Sequence, residues 1–116
     1  MRGRYDAALA DRAAILATTP AAPRLRDIVT AVAGAFKISP GQLLSQSRLG
    51  PVARARHACV LLARQRTDQS LPQIGRLLNR DHTTIAHSLR VAVRLELEDE
   101  EFAEALHVAR AKLGEN

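Results

Sequence analysis

The sequence predicts an all-α protein: a compact domain of about five to six helices, two of them joined as a helix–turn–helix. Three observations predict it. Apolar residues make up 47% of the chain but aromatics only 3%, so alanine and leucine must fill the core, and that composition favours helices over sheets. Apolar residues recur at three- and four-residue spacing in successive segments. Capping boxes of the form Ser-x-x-Gln occur at Ser39–Gln42 and Ser70–Gln73, each marking a helix start. With 116 residues the chain can bury a real but modest core.

Residues 1–23 are read as an N-terminal segment and linker. Tyr5, Leu9, Ala13 and Leu16 lie at helical spacing and suggest a short helix over 1–17. Thr18-Thr19-Pro20-Ala21-Ala22-Pro23 breaks it. Whether this segment packs on the body is left open by the sequence. The domain proper is placed at 24–113.

From Arg24 to Phe36, Leu25, Ile28, Val29, Val32 and Phe36 form one apolar face. Ser39-Pro40-Gly41-Gln42 starts a short second helix, with Ser39 as cap, Pro40 at the first helical position and Gln42 reaching back. Arg48-Leu49-Gly50-Pro51 is a turn. Pro51 opens a long helix to about Arg66, with Val52, Ala55, Cys59 and Leu62 as its buried stripe. This is the expected central core helix, and Cys59 is read as a small core residue.

Ser70 caps the next helix, where Leu71, Ile74, Leu77 and Leu78 face inward and Gly75 permits close approach of another segment. Asn79 and Arg80 form the turn. Asp81 is the N-cap of the following helix, whose expected buried stripe is Ile85, Leu89, Ala92 and Val93. Thr83, His87, Arg90 and Arg94 lie on a different face, polar at its start and cationic further on. The acidic run from Glu96 to Glu101 is expected to begin the last helix, as a positive helix N-terminus favours. Phe102, Leu106, Ala109 and Leu113 form its stripe, and Gly114 ends it.

The formal charge of +5 is unevenly spread. Arg24 to Arg94 carries twelve Lys/Arg against three acids, a net +9, whereas Leu95 to the end carries two against seven, a net −5. Such a basic body suits a polyanion. A GC-rich genome would account for the preference for Arg over Lys, but not for this segregation. The single Cys excludes an intramolecular disulfide. No apolar run reaches the roughly 18 residues of a membrane span, and no signal peptide is seen. A cytoplasmic, nucleoid-associated protein is expected. His82 and His87 lack the i, i+4 spacing of a helical metal pair. No cofactor or metal is expected, and no nucleophile–base–orienter set or pair of carboxylates near a His suggests an enzyme.

Four blocks in order carry a resemblance: Leu43-Leu44-Ser45-Gln46-Ser47-Arg48, Val52-Ala53-Arg54-Ala55-Arg56, Ser70-Leu71-Pro72-Gln73-Ile74-Gly75, and Arg80-Asp81-His82-Thr83-Thr84-Ile85. Together they resemble the C-terminal DNA-binding domain (domain IV) of the bacterial DnaA initiator family, over about Leu25 to Phe102. The resemblance implies a Trp-repressor-like helix–turn–helix and binding to short asymmetric duplex boxes similar to TTATCCACA. It implies that Arg48 enters the minor groove, where narrow A·T-rich DNA attracts guanidinium. It implies that Asp81, His82 and Thr83 read base edges in the major groove. Arg56, Arg64, Thr84 and His87 match phosphate-contacting positions, with His57 beside Arg56, Arg80 opening the recognition block, and Leu71-Pro72 as a backbone-facing corner.

This chain departs from the family pattern in several places. His57 stands where Gln is usual. The turn before Arg80 is shorter than the usual Gly-Gly-Arg-Asp-His form, which is expected to tilt the recognition helix and alter box preference. Ser47-Arg48-Leu49 carries fewer cations than the loop often does. No Gly-x-x-x-x-Gly-Lys-(Ser/Thr) phosphate loop is present in the sequence, so a box reader without the ATPase motor is expected.

The leading expectation is therefore specific binding of double-stranded DNA, as a monomer, in regulation of replication initiation or transcription, with possible competition for the initiator's boxes. The alternative is a protein-interaction module that has kept the fold but lost DNA reading, using the acidic last helix or residues 1–17. The exposed Asp-His-Thr-Thr block argues against it, because a protein-only role has no need of those side chains. Thr83→Ala is expected to relax base preference by roughly 1–3 kcal/mol, and Arg56→Ala to weaken binding to all sequences similarly.

Overall fold

The computed structural model describes residues 23–114, which form six α-helices and no strand among those residues. They are α1 (Leu25–Ala35), α2 (Pro40–Leu44), α3 (Gly50–Arg66), α4 (Leu71–Leu78), α5 (His82–Glu98) and α6 (Glu100–Lys112). The expected helix over 1–17 and most of the linker lie outside the described residues.

Both capping boxes form. Ser39 Oγ accepts from the Gln42 N–H at 3.0 Å and the Gln42 side chain accepts from the Ser39 N–H at 2.9 Å. Ser70 and Gln73 repeat the exchange at 3.2 and 2.7 Å. Each box satisfies two helix-end donors that have no partner within the helix. α1 ends in a left-handed residue, Lys37, at φ 60°. There the Ile38 N–H reaches back to the Ala33 carbonyl at 3.0 Å and the Lys37 N–H to Gly34 at 3.3 Å, closing the helix as a Schellman motif.

α3 is the hub and touches all five other helices. Ala55, Ala58, Cys59, Leu62 and Ala63 on it are fully buried, and its alanines let neighbours approach closely. Cys59 is among the most buried, and that burial pushes its thiol up to about 12, which leaves it unreactive at neutral pH. α1 and α6 pack together and against α3. Phe102 of α6 sits edge-on to Phe36 with ring centroids 5.6 Å apart.

Two polar ties join α3 to the end of the chain. Arg54 donates to Asp99 at 2.9 Å, with its guanidinium 5.5 Å from the Phe102 ring centroid. Eleven residues further along each helix, Arg110 donates to Gln65 at 2.9 Å and to Glu96 at 2.7 Å.

Two sequence expectations are corrected here. The acidic run does not all belong to the last helix: α5 continues through Glu98, and Asp99 caps α6 by accepting the Phe102 N–H at 3.0 Å. The break falls at Asp99 because its carboxylate serves both the cap and Arg54. Val93 is not part of the buried stripe; it is 47% exposed, while Ser88 is buried. α5 turns its Ile85–Ser88–Ala92 edge to the core, where Ser88 finds His57 of α3 as its partner.

Candidate nucleic-acid interface

α4 and α5 are adjoining helices set by a tight turn. Asn79 adopts the left-handed conformation at φ 57°, which asparagine tolerates better than most residues. The Arg80 N–H bonds the Gly75 carbonyl at 2.8 Å and the Asn79 N–H bonds Arg76 at 3.3 Å, a second Schellman closure. Gly75 is buried, and a Cβ there would lie 2.4 Å from the Arg80 carbonyl oxygen. The turn can pass this close only over glycine. Asp81 then opens α5 by accepting the Thr84 N–H at 2.9 Å. That bond holds its carboxyl below the usual carboxylate range, so it stays an ionised acceptor.

The first turn of α5 exposes Asp81, His82, Thr83 and Thr84, and His87 is exposed one turn further on. Ile85 beneath them is buried and anchors the turn. Leu71 is half-buried and Pro72 exposed at the start of α4; Arg64 is exposed and donates to the Gln69 carbonyl at 3.0 Å.

Arg48 is exposed on the loop between α2 and α3. The loop is held by its own hydroxyls: Ser45 Oγ accepts the Ser47 N–H at 3.1 Å, and Ser47 Oγ the Leu49 N–H at 3.2 Å. It is held more firmly by Arg56. The residue is only 7% exposed, and its guanidinium donates from Nε to Leu43 O at 2.8 Å, from Nη1 to Ser47 O at 2.6 Å, and from Nη2 to Ser45 O. Arg80 donates to the same Ser45 carbonyl at 3.2 Å, and to Leu78 and Asn79 at 3.1 and 3.2 Å. Burial first, and then the Arg80 charge, lower the Arg56 pKa.

The sequence reading assigned Arg56 a phosphate contact alone and so missed its hold on the loop. A signal was present: Arg56 lies at helical spacing between Val52 and Val60, both buried, which puts it on the core side of α3. Two of the carbonyls it bonds, Ser45 and Ser47, come from an irregular loop whose path no periodicity reveals. The link from Arg80 to Ser45, and the burial of Ser88, were missed for the same reason.

His57 is half-buried, with Nδ1 2.6 Å from Ser88 Oγ. Its pKa is lowered by burial, then by the charges of His87, Arg54 and Arg56. Arg56, His57, Arg80, Thr84, His87 and Ser88 line a cleft of about 110 Å³ between α3 and α5. No carboxylate lines it. Among the described residues no group of three or more His, Cys, Asp or Glu could hold a metal ion, and no helix is long and apolar enough to cross a membrane.

Residues 25–91 match the family described as bacterial dnaA protein helix–turn–helix. The chain is 37% identical over 93 residues to the chromosomal replication initiator protein DnaA of Bartonella quintana, covering 79% of this chain and 19% of that protein. It is 41% identical over 88 residues to the DnaA of Caulobacter vibrioides strain NA1000, covering 75% of this chain and 18% of that protein. It thus spans about a fifth of the length of these relatives. An all-helical body, a helix–turn–helix built on Gly75 and Asp81, and these matches lead to one assignment: the chain belongs to the bacterial DnaA helix–turn–helix family, the C-terminal DNA-binding domain of those initiators.

Proposed function

We propose that this domain reads short asymmetric boxes in double-stranded DNA, and that it acts in control of replication initiation or of transcription at such boxes. The observation that carries the reading is the junction at Ser45. Through that one carbonyl, Arg56 and Arg80 tie the Arg48 loop to the start of the recognition helix. A side chain suited to the minor groove and a helix suited to the major groove are thereby held in one rigid unit.

In this reading Asp81 accepts from cytosine N4, His82 donates to purine acceptors and the Thr83 methyl meets a thymine methyl. Arg48 lies in the adjacent minor groove. Arg56, His57, Arg64, Thr84 and His87 face phosphates, and Leu71-Pro72 abuts the backbone, fixing register without carrying sequence information. One domain with one helix–turn–helix suits a monomer on an asymmetric box; a dimer would instead read a palindrome. Such a domain competes with full-length initiators for their boxes.

The test is binding of a labelled duplex carrying a box against a scrambled duplex at moderate salt. Preference for the box, with log affinity falling steeply against log salt, is the expected result. Equal affinity for the two duplexes overturns the claim of specificity.

A further inference from the structure

The cleft between α3 and α5 sets two imidazoles from different helices, two hydroxyls, Arg56 and Arg80 beside apolar Ala53, Val60, Leu78 and Ile85. His57 and Arg56 come from α3, and Thr84, His87 and Ser88 from α5. Arg80 comes from the turn. Arg54, the other cation acting on His57 from α3, is already paired with Asp99 at 2.9 Å. Around His57 the charges are therefore positive: Arg54 and Arg56 on its own helix, His87 on α5, and Arg80 across the cleft. A proton on His57 is unfavourable there until an anion arrives.

We infer that this cleft takes one phosphodiester of the DNA backbone together with a proton on His57, so that affinity for duplex DNA rises as pH falls through the neutral range. The inference rests on the DNA-binding reading above and adds proton uptake to it. His57 engages Ser88 through Nδ1, so Nε2 is the nitrogen that meets the phosphate. The Ser88 hydroxyl can donate to a neutral ring or accept from a protonated one, so the 2.6 Å contact survives the change of charge. His87 is exposed at the mouth of the cleft, next to the Thr84 hydroxyl one turn back.

The sign follows from which state holds the proton. In the free protein burial and neighbouring cations favour neutral His57. A bound phosphate favours the protonated form, so the complex binds more protons than the free partners. Affinity must then increase with acidity between the two pKa values, by at most about tenfold per pH unit for each proton taken up.

The experiment measures affinity for a box-bearing duplex at pH 6, 7 and 8, at one ionic strength. It compares the wild type with His57→Gln and His57→Asn. Calorimetry at pH 7 in two buffers of different ionisation enthalpy counts the protons taken up. The wild type should bind about tenfold more tightly at pH 6 than at pH 8. Both variants should lose most of that ratio and most of the proton uptake. A wild type whose affinity is flat with pH, or a folded variant that keeps the full ratio, overturns the proposal. Absence of box preference at every pH in every protein is instead failure of the DNA-binding reading. Thermal melts identify a variant that unfolds; if both do, absence of proton uptake by the wild type still overturns the proposal.

Discussion

Arg56 and Arg80 donate to the same backbone oxygen, that of Ser45, although one comes from the hub helix and the other from the turn of the helix–turn–helix. Two like charges are brought together at that point, with Arg56 buried. The arrangement is favourable because each guanidinium also has other carbonyls to bond.

The Ser45 junction changes what Arg56→Ala should do. Besides losing a cation, the variant loses three bonds, one to the Leu43 carbonyl of α2 and two to the loop carbonyls of Ser45 and Ser47. Destabilisation of roughly 2–4 kcal/mol is expected in urea unfolding. Binding should weaken and also lose discrimination at the A·T positions next to the Arg48 loop. Uniform weakening across all boxes would return Arg56 to a phosphate contact alone.

Thr83→Ala removes a methyl and a hydroxyl from the exposed first turn of α5. Stability should change little. Discrimination at one base pair should fall by roughly 1–3 kcal/mol in competition binding. A loss spread evenly over every sequence would mean that another face of α5 does the reading.

Gly75 and Gly41 form a matched pair. Gly75→Ala forces a methyl to 2.4 Å from the Arg80 carbonyl oxygen, so the turn must shift, at a cost of about 1–3 kcal/mol. Gly41→Ala meets only Ser39 Oγ, at 3.8 Å, in the first turn of α2 and should stabilise by roughly 0.5 kcal/mol. Thermal or urea melts of the two variants measure the contrast directly.

Lys37 closes α1 in a conformation that costs a side-chain-bearing residue about 1 kcal/mol, and it is exposed. Lys37→Gly relieves that strain but gives the unfolded chain more freedom. A net gain of roughly 0.5 kcal/mol is expected, and a loss would show that the lysine side chain has a role at the end of α1.

Asp81 and Asp99 each cap a helix, and both have pKa values below the usual range. The cause in each is first a backbone N–H, from Thr84 and Phe102 respectively; Asp99 also has the Arg54 guanidinium. Stability from such groups is present in full above about pH 4 and is lost as pH falls through the lowered values. Asn retains the capping bond without titrating. The double variant Asp81→Asn/Asp99→Asn should therefore show a shallower fall in Tm between about pH 5 and pH 3 than the wild type. Parallel curves would place the acid sensitivity elsewhere.

Much of this structure was legible because its signals are local. Ser39, Ser70 and Asp81 announce their helices within four residues. The stripes through Ile28, Cys59, Ile74 and Phe102 follow the helical period. What stayed hidden depends on distant partners. The end of α5 is set at Asp99 by Arg54, and an acidic run suits a helix start wherever it breaks. Ser88 is buried because His57 awaits it. The Arg48 loop owes its shape to Arg56 and Arg80, whose bonds go to backbone oxygens that carry no sequence signature. The sequence proposes the interface residues, but not the way they are held.

The two ties between α3 and the chain end, Arg54 to Asp99 and Gln65 to Arg110, advance by the same eleven residues on each side. At 1.5 Å per residue they pin two helices running in the same direction at points about 16 Å apart. Neither helix can slide along the other without losing both. One end of each pin, Asp99 and Arg110, lies with buried Phe102, Leu106 and Ala109 beyond residue 91, where the family match stops. The smallest fragment able to fold by itself must therefore run past the last family-matched residue to at least Arg110. A fragment cut at residue 91 should keep every proposed DNA-contacting residue and still fail as a binder, because the floor beneath them is missing.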